Sequence, residues 1–151
     1  MKTGRTINNI LVTGGAGFIG SAFIRLVLGD EDFSGKIINL DILTYAGNLD
    51  NVACVSDDPR YVFVRGNICD KEIVEAIFHR YQIDTIVHFA AESHVDRSIE
   101  SPISFVESNV MGTVNLLEVA RKNPDVHFHH VSTDEVFGSL GEKGKFTEES
   151  P

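Results

Sequence analysis

The stretch Thr13-Gly14-Gly15-Ala16-Gly17-Phe18-Ile19-Gly20 decides the fold, because it joins a predicted strand to a predicted helix. We expect Gly14 to permit a tight turn, Gly17 to let the backbone approach a phosphate, and Gly20 to let the helix pack closely on the strand. The free N–H groups at the start of the helix would face that phosphate. The spacing is Gly-x-x-Gly-x-x-Gly rather than Gly-x-Gly-x-x-Gly, and a glycine-rich turn alone also fits an ordinary strand-to-helix connection.

An acidic residue strengthens the interpretation of this turn. Asp41 ends the next predicted strand, about 20 residues after the glycines, where a carboxylate binds the adenosine ribose hydroxyls of a dinucleotide. A carboxylate at this position would also repel a 2′-phosphate. The two features together predict dinucleotide binding and favour NAD over NADP.

Short runs rich in β-branched residues alternate with helical patterns along the chain, which is typical of βαβ units and a parallel sheet. The predicted fold class is α/β, a Rossmann-type doubly wound parallel sheet truncated after about five strands. Residues 1–151 would form one NAD-binding domain, incomplete because the polar, glycine-rich tail adds no sixth strand. The predicted strands are Asn9–Thr13, Lys36–Asp41, Tyr61–Arg65, Thr85–Phe89 and His127–Ser132.

Three helices are predicted between the strands. The first runs from Gly17 to Leu28, and the second spans Lys71–Tyr81 behind Asp70 as its N-cap. The third has Ser101 as its cap and Pro102 at its first position, and it ends at Asn123. An apolar stripe recurs along it at helical spacing and comprises Ile103, Val106, Val110, Val114 and Leu117. The apolar residues that would serve both the core and a dimer interface are Ile103, Phe105, Val106, Val110, Leu116 and Leu117.

The composition narrows the functional classes. A net charge of −9 argues against nucleic acid as a partner, because binding of a phosphate backbone relies on clustered Lys and Arg. No apolar run is long enough to span a membrane, and the first residues lack an apolar signal segment, so we expect a cytoplasmic protein with no membrane partner. The cysteines (Cys54 and Cys69) and the histidines of the fifth strand (His127, His129 and His130) are interpreted as structural residues, so no metal site is predicted.

Four segments at the ends of predicted strands carry a family resemblance. Thr13–Gly20 resembles the fingerprint of the extended short-chain dehydrogenase/reductase family. Asp41–Leu49, His88–Ser98 and Val131–Gly138 are similar to segments of the dTDP-glucose 4,6-dehydratases within that family. All four segments would lie where ligands bind in open α/β sheets.

The resemblance implies that these segments surround NAD and a nucleotide-sugar substrate. His94 and Thr133 would touch the substrate. Small residues at 90 and 91 would allow close backbone approach to the cofactor, although alanines also suit helix–sheet packing. The implied cofactor-binding residues are Gly14, Gly17, Phe18, Ile19, Gly20, Asp41, Ile42, Leu43, Thr44, Asn67, Ile68, Ala90, Ala91, Glu92, Ser93, His94 and Ser108.

Thr133, Asp134 and Glu135 carry the reaction that the resemblance implies. Eliminating water from a 4-keto sugar needs a base for the C5 proton beside an acid for the C6 hydroxyl. In the family the Asp is the acid and the Glu is the base, while the Thr hydrogen-bonds the 4-hydroxyl. A hydride then returns to C6 and gives dTDP-4-keto-6-deoxyglucose. Without the resemblance, two acidic residues after a strand are more often a solvated turn.

Two substitutions and one gap depart from the family pattern. Asn67 replaces a common Asp beside the adenine, and Phe137 replaces a common Tyr. The family's Tyr-x-x-x-Lys pair does not occur in the sequence, so we expect the 151 residues to be the front part of a homodimeric enzyme and to be inactive alone. Two alternatives stay open: another NAD-dependent nucleotide-sugar dehydratase or 4-epimerase, and a non-catalytic NAD-binding module.

Overall fold

The computed structural model describes residues 6–94, 99, 101–141 and 144–150. All strand pairs of its single five-stranded sheet are parallel, and the strand order is β3-β2-β1-β4-β5. This order confirms the predicted Rossmann-type α/β class. The strands are β1 (Asn9–Thr13), β2 (Lys36–Asp41), β3 (Tyr61–Arg65), β4 (Thr85–His88) and β5 (His127–His130).

Helices connect these strands, and no helix in the described part of the chain is long and apolar enough to cross a membrane. The predicted Asp70 cap is confirmed, since its carboxylate accepts hydrogen bonds from the N–H groups of Glu72 and Ile73. The helical elements are α1 (Phe18–Leu28), a 3₁₀ helix (Leu49–Val55), α2 (Lys71–Tyr81), α3 (Pro102–Phe105), a π-helical turn (Val106–Gly112), α4 (Thr113–Lys122) and a second 3₁₀ helix (Asp134–Phe137).

Apolar side chains cover both faces of the sheet. Successive strand residues point to opposite faces, so Leu11 packs with α2 and α4, while Ile10 and Val12 pack with α1. The strands at the centre of the sheet are buried almost completely, as expected when helices cover both faces. This packing fixes the carboxyl ends of β1, β2 and β4 side by side.

Two predicted strand ends were too long. β4 ends at His88 rather than Phe89, and β5 ends at His130 rather than Ser132. The last pair between β1 and β4 is Thr13 with His88, and the last pair between β4 and β5 is His88 with His130. β1 turns away into the glycine-rich turn after Thr13, so β4 ends with its last β1 partner, and β5 ends with its last β4 partner.

The third predicted helix also differs from expectation. It contains a π-helical turn, which apolar periodicity does not reveal, and Ser101 makes no side-chain capping hydrogen bond. Its core side is formed mainly by Leu116 and Val119. The predicted apolar stripe is exposed instead and comprises Ile103, Val106, Val110, Val114 and Leu117. The first helix begins at Phe18, with Gly17 as its N-cap residue.

Candidate functional site

A cleft of about 140 Å³, open to solvent, lies at the carboxyl ends of the central strands. The chain order reverses between β1 and β4, and ligands of open α/β sheets bind at such a switch point. The predicted cofactor residues that line the cleft are Gly14, Gly17, Asp41, Ile42, Thr44, Asn67, Ile68, Ala90, Ala91, Glu92 and Ser108. The others, which do not line it, are Phe18, Ile19, Gly20, Leu43, Ser93 and His94.

The glycine-rich turn contains glycines with different physical roles. Gly14 has a φ of +69°, and a Cβ there would lie 2.7 Å from the backbone nitrogen of Ala90. A Cβ on Gly20 would overlap the Gly14 carbonyl oxygen, so α1 starts pressed against the turn. A Cβ on Gly17 would meet only that oxygen, at 3.2 Å. The fold therefore requires glycine much less at position 17, and phosphate access stays the predicted reason for it.

The start of α1 is left free of side-chain caps. Its N-cap residue is Gly17, and its first turn contains no acidic residue. The first N–H groups of a helix have no partner inside the helix, and they carry a partial positive charge. None of the described residues that line the cleft is Lys or Arg. The N-terminus of α1 is therefore the feature of the cleft best suited to hold an anion.

Asp41 connects the glycine-rich turn to the loop after β2. Its side chain is nearly buried, and its carboxylate accepts hydrogen bonds from Ala16 N–H at 2.9 Å and Leu43 N–H at 2.8 Å. Leu43 has a φ of +59°, a strained conformation for a residue other than glycine. Each carboxylate oxygen keeps a further lone pair, so Asp41 can still accept from the hydroxyl of a ligand.

Sequence reasoning missed several residues that shape the site. The Ala16 carbonyl accepts hydrogen bonds from Asn48 N–H at 3.0 Å and from the Asn51 side chain at 2.9 Å, which bind the loop after β2 to the glycine-rich turn. The sequence held a signal for three of the cleft-lining residues, because Ala46 and Gly47 lie inside the quoted segment Asp41–Leu49 and Phe89 lies inside His88–Ser98. The cleft-lining residues that were not predicted are Leu40, Ala46, Gly47, Gly66 and Phe89.

The departure at Asn67 leaves the local geometry intact. Asn67 Oδ1 accepts a hydrogen bond from Cys69 N–H at 2.9 Å, and an aspartate oxygen would do the same. The neighbouring Ile68 is buried, and its carbonyl accepts from the Asn115 side chain at 2.6 Å. Replacement of Asp by Asn therefore removes a charge from this edge of the cleft but not a structural hydrogen bond.

A buried histidine joins the cleft to α4. His88 is 1% exposed, and its Nδ1 lies 2.6 Å from Thr13 Oγ1 while its Nε2 lies 3.0 Å from Thr113 Oγ1. The Thr13 oxygen also accepts from Ala90 N–H at 3.3 Å. His88 therefore lies between α4 and the backbone of a cleft-lining loop.

Asn109, in the π-helical turn, holds the next part of that loop. Its Oδ1 accepts from Glu92 N–H at 2.8 Å, and its Nδ2 donates to the Glu92 carbonyl oxygen at 2.9 Å. Ser108 of the same turn lines the cleft. π-Helical turns are rare and occur frequently at functional sites, which agrees with this position.

The environment of His88 leads to a prediction about pH. Burial, and secondarily the charge of His130, lowers the pKa of His88 from 6.5 to about 4. As the pH falls, the unfolded chain takes up the proton first, so the stability contributed by neutral His88 is complete above pH 6.5 and is lost towards pH 4. We expect a loss of about 3 kcal/mol in the free energy of unfolding over this range.

Urea denaturation at a series of pH values measures this loss. The control is His88→Asn, which cannot titrate here and should be less stable at pH 7 but lose less stability on acidification. Parallel curves for the two proteins would contradict the prediction.

The predicted catalytic residues lie apart from the cleft walls. Thr133, Asp134 and Glu135 follow β5, are exposed and do not line the cleft. Thr133 is the N-cap of the short 3₁₀ helix, with its Oγ1 3.4 Å from Glu135 N. The substituted Phe137 stacks on Phe146, with ring centroids 5.4 Å apart. The described residues alone do not bury this acidic pair.

The remaining candidate groups are the possible metal ligands, the two cysteines and His94. The described residues include no group of three or more side chains arranged to hold a metal ion. Cys54 and Cys69 are both free thiols. Burial raises the pKa of Cys69, which makes it less reactive. His94 is exposed and faces Tyr45 edge-on, with ring centroids 6.4 Å apart.

The strand order, the glycine-rich turn and the cleft at the switch point place the protein in the Rossmann-type α/β class. Residues 11–151 match the family described as GDP-mannose 4,6 dehydratase, and the chain belongs to that family. It is 50% identical over 154 residues to the dTDP-glucose 4,6-dehydratase of Haemophilus influenzae, a match that covers 95% of this chain and 45% of the relative. The chain thus spans a little under half the length of this curated relative.

Solved structures show the same likeness. The dTDP-glucose 4,6-dehydratase of Bacillus anthracis in complex with NAD superposes with a TM-score of 0.85 at 49% identity, covering 95% of this chain and 43% of that one. The UDP-glucose 4-epimerase of Thermus thermophilus in complex with NAD has a TM-score of 0.80 at 33% identity, with coverage of 95% and 43%. The fold is therefore shared by dehydratases and epimerases, while the sequence is nearer to this dehydratase.

Proposed function

We propose that the chain is the NAD-binding part of an enzyme that dehydrates dTDP-glucose to dTDP-4-keto-6-deoxyglucose. The observation that carries the proposal is the cleft itself. It combines the uncapped N-terminus of α1 with the Asp41 carboxylate at the switch point of the sheet. The identity to dTDP-glucose 4,6-dehydratases supports the choice of reaction and substrate.

The described residues fit NAD. The first turn of α1 would bind the pyrophosphate through backbone N–H groups, and Gly17 leaves room for it. Asp41 would accept hydrogen bonds from the adenosine ribose hydroxyls, and its negative charge disfavours the additional phosphate of NADP. Asn67 and Ile68 would border the adenine, while Ala90 and Ala91 allow the cofactor to lie close to the backbone. When bound, NAD supplies a temporary acceptor for the hydride of the sugar.

The acid and base chemistry is assigned to the residues after β5. Asp134 would protonate the departing C6 hydroxyl, and Glu135 would take the C5 proton, so that water leaves across the C5–C6 bond. Thr133 would donate a hydrogen bond to the oxygen at C4, and His94 would contact the substrate. An exposed pair of carboxyl groups suits this chemistry only after the substrate and the rest of the enzyme bury it.

We propose further that the 151 residues do not turn over substrate alone. The exposed acidic pair and the absence of a Tyr-x-x-x-Lys sequence support this, because a general base for the 4-hydroxyl is lacking. The part of the relatives that this chain does not span would supply that group and most contacts to the sugar nucleotide.

The second candidate function is nucleotide-sugar 4-epimerisation, which the 0.80 TM-score to an epimerase favours. An epimerase needs no acid and base pair for elimination. The natural full-length protein should therefore be supplied with dTDP-glucose, UDP-glucose and GDP-mannose in parallel, and the products identified by mass and NMR. The proposal predicts loss of water from dTDP-glucose, whereas a product of unchanged mass inverted at C4 would support the epimerase instead.

We also propose that the enzyme is a homodimer formed through the exposed apolar stripe of the third helical region. Ile103 is 70% exposed and Val110 is 51% exposed, and a stripe of this kind is typical of a protein–protein interface.

In the natural full-length protein, Val110→Glu should shift the particle from dimer to monomer in sedimentation equilibrium. His79→Glu, which adds the same charge on the exposed surface of α2, should leave the dimer intact. A Val110→Glu protein that stays dimeric would rule out this interface.

A further inference from the structure

The hydrogen bonds around His88 fit one arrangement of protons. The Thr113 hydroxyl donates to the Asn109 carbonyl oxygen at 2.8 Å, so its oxygen accepts from His88 Nε2–H. His88 Nδ1 then carries no proton and accepts from the Thr13 hydroxyl, whose oxygen accepts from Ala90 N–H. The donors and acceptors form one directed chain from the loop after β4 to the start of α4.

Both ends of this series of hydrogen bonds lead to residues that bind the backbone of the cleft-lining loop. One end reaches the backbone of Ala90 through Thr13, and the other reaches Asn109, whose side chain binds the backbone of Glu92. Residues 90 and 92 both line the cleft. A buried imidazole is costly unless its nitrogens are bonded, and an apolar residue would fill this strand position without that cost. Packing alone therefore does not account for the histidine.

On its opposite side, the same loop lies directly against the glycine-rich turn. The backbone of Ala90 lies so close to Gly14 that even a Cβ on that glycine would be 2.7 Å from the Ala90 nitrogen. Movement of the loop towards the turn is thus blocked sterically. Movement away from the turn is opposed by the hydrogen bonds of His88 and Asn109.

We propose that His88 is a positioning residue that, through Thr13 and Thr113, fixes residues 90–92 at the position in the cleft that a bound dinucleotide requires. The inference rests on the proposed function, because it gives His88 a role in cofactor binding. His88 would not touch the cofactor, since it does not line the cleft. Its effect is expected in the dissociation constant for NAD.

A matched pair of variants at Thr113 tests the inference in the natural full-length protein. Thr113→Val keeps the shape of the side chain but removes the oxygen that accepts from His88, while Thr113→Ser restores a hydroxyl. We expect Thr113→Val to raise the NAD dissociation constant about fivefold and Thr113→Ser to return it to within about twofold of the wild-type value. Calorimetric titration with NAD measures both.

Val119→Ala provides the control for general loss of stability. Val119 is buried in the core of α4, and its side chain makes none of these hydrogen bonds. This variant should be less stable yet bind NAD like the wild type. Unchanged NAD binding by Thr113→Val, or equal weakening by Val119→Ala, overturns the inference while leaving the proposed function standing. A wild-type protein that binds no NAD overturns both.

A spectroscopic measurement tests the same arrangement without any ligand. In protein labelled with ¹⁵N-histidine, His88 should show a protonated Nε2 and an unprotonated Nδ1 at neutral pH. Thr113→Val should shift the Nε2 resonance, since it removes the acceptor of that proton. The opposite tautomer in the wild-type protein would contradict the directed chain.

Discussion

Replacing Glu135 with Gln in the natural full-length protein is expected to lower the rate of dehydration by about 10²- to 10⁴-fold. The amide keeps the size of the side chain but cannot accept the C5 proton. The affinity for NAD should be unchanged, because Glu135 does not line the cleft. A fall in rate without a fall in cofactor affinity would assign the residue to the chemical step.

Exchange of the C5 hydrogen with solvent deuterium measures that step directly. The wild-type protein should incorporate deuterium at C5, and Glu135→Gln should do so slowly. Glu148→Gln, at another exposed carboxyl group beyond the 3₁₀ helix, is the matched control and should behave like the wild type. A Glu135→Gln protein with close to wild-type turnover would remove the main argument for dehydration.

The second large effect, on stability and on NAD affinity, is expected when alanine replaces either of two glycines in the glycine-rich turn. Gly14→Ala places a side chain on a residue with positive φ and against the backbone of Ala90, so it should destabilise the fold by about 2–4 kcal/mol. Gly17→Ala meets only one oxygen, at 3.2 Å, and should cost about 1 kcal/mol or less. Its Cβ would nevertheless occupy space that the pyrophosphate needs, so NAD affinity should fall at least about tenfold.

Urea denaturation and NAD titration of both variants separate the two effects. Gly17→Ala should be nearly as stable as the wild type but bind NAD poorly, whereas Gly14→Ala should lose both stability and binding. If Gly17→Ala binds NAD like the wild type, the pyrophosphate does not lie at this turn.

The fold and much of the cleft could be predicted because their signals are local. The glycine spacing, Asp41 at the end of β2 and the alternation of strands and helices each follow from short-range stereochemistry, and the structure confirms the Rossmann-type order. The α2 cap at Asp70 was predictable for the same reason, since a capping side chain bonds within its own turn.

The features that were missed depend on contacts between distant segments. A histidine at the end of a strand gives no sign that it will bond to Thr13 and Thr113, which are 75 and 25 residues away. The π-helical turn was missed because helical periodicity does not distinguish it from an α-helix over a few residues. The exposed side of the third helical region was interpreted partly as core. Apolar spacing shows that a helix has an apolar face, but it does not show whether the sheet, another protomer or solvent lies against that face.

The most direct test of the central claim is the fate of a deuterium label at C4 of dTDP-glucose in the natural full-length protein loaded with NAD. Dehydration by C4 oxidation, elimination and hydride return predicts a 4-keto-6-deoxy product that carries the label at C6. Recovery of the label at C4 of an epimerised sugar, or no conversion of dTDP-glucose at all, would contradict the account.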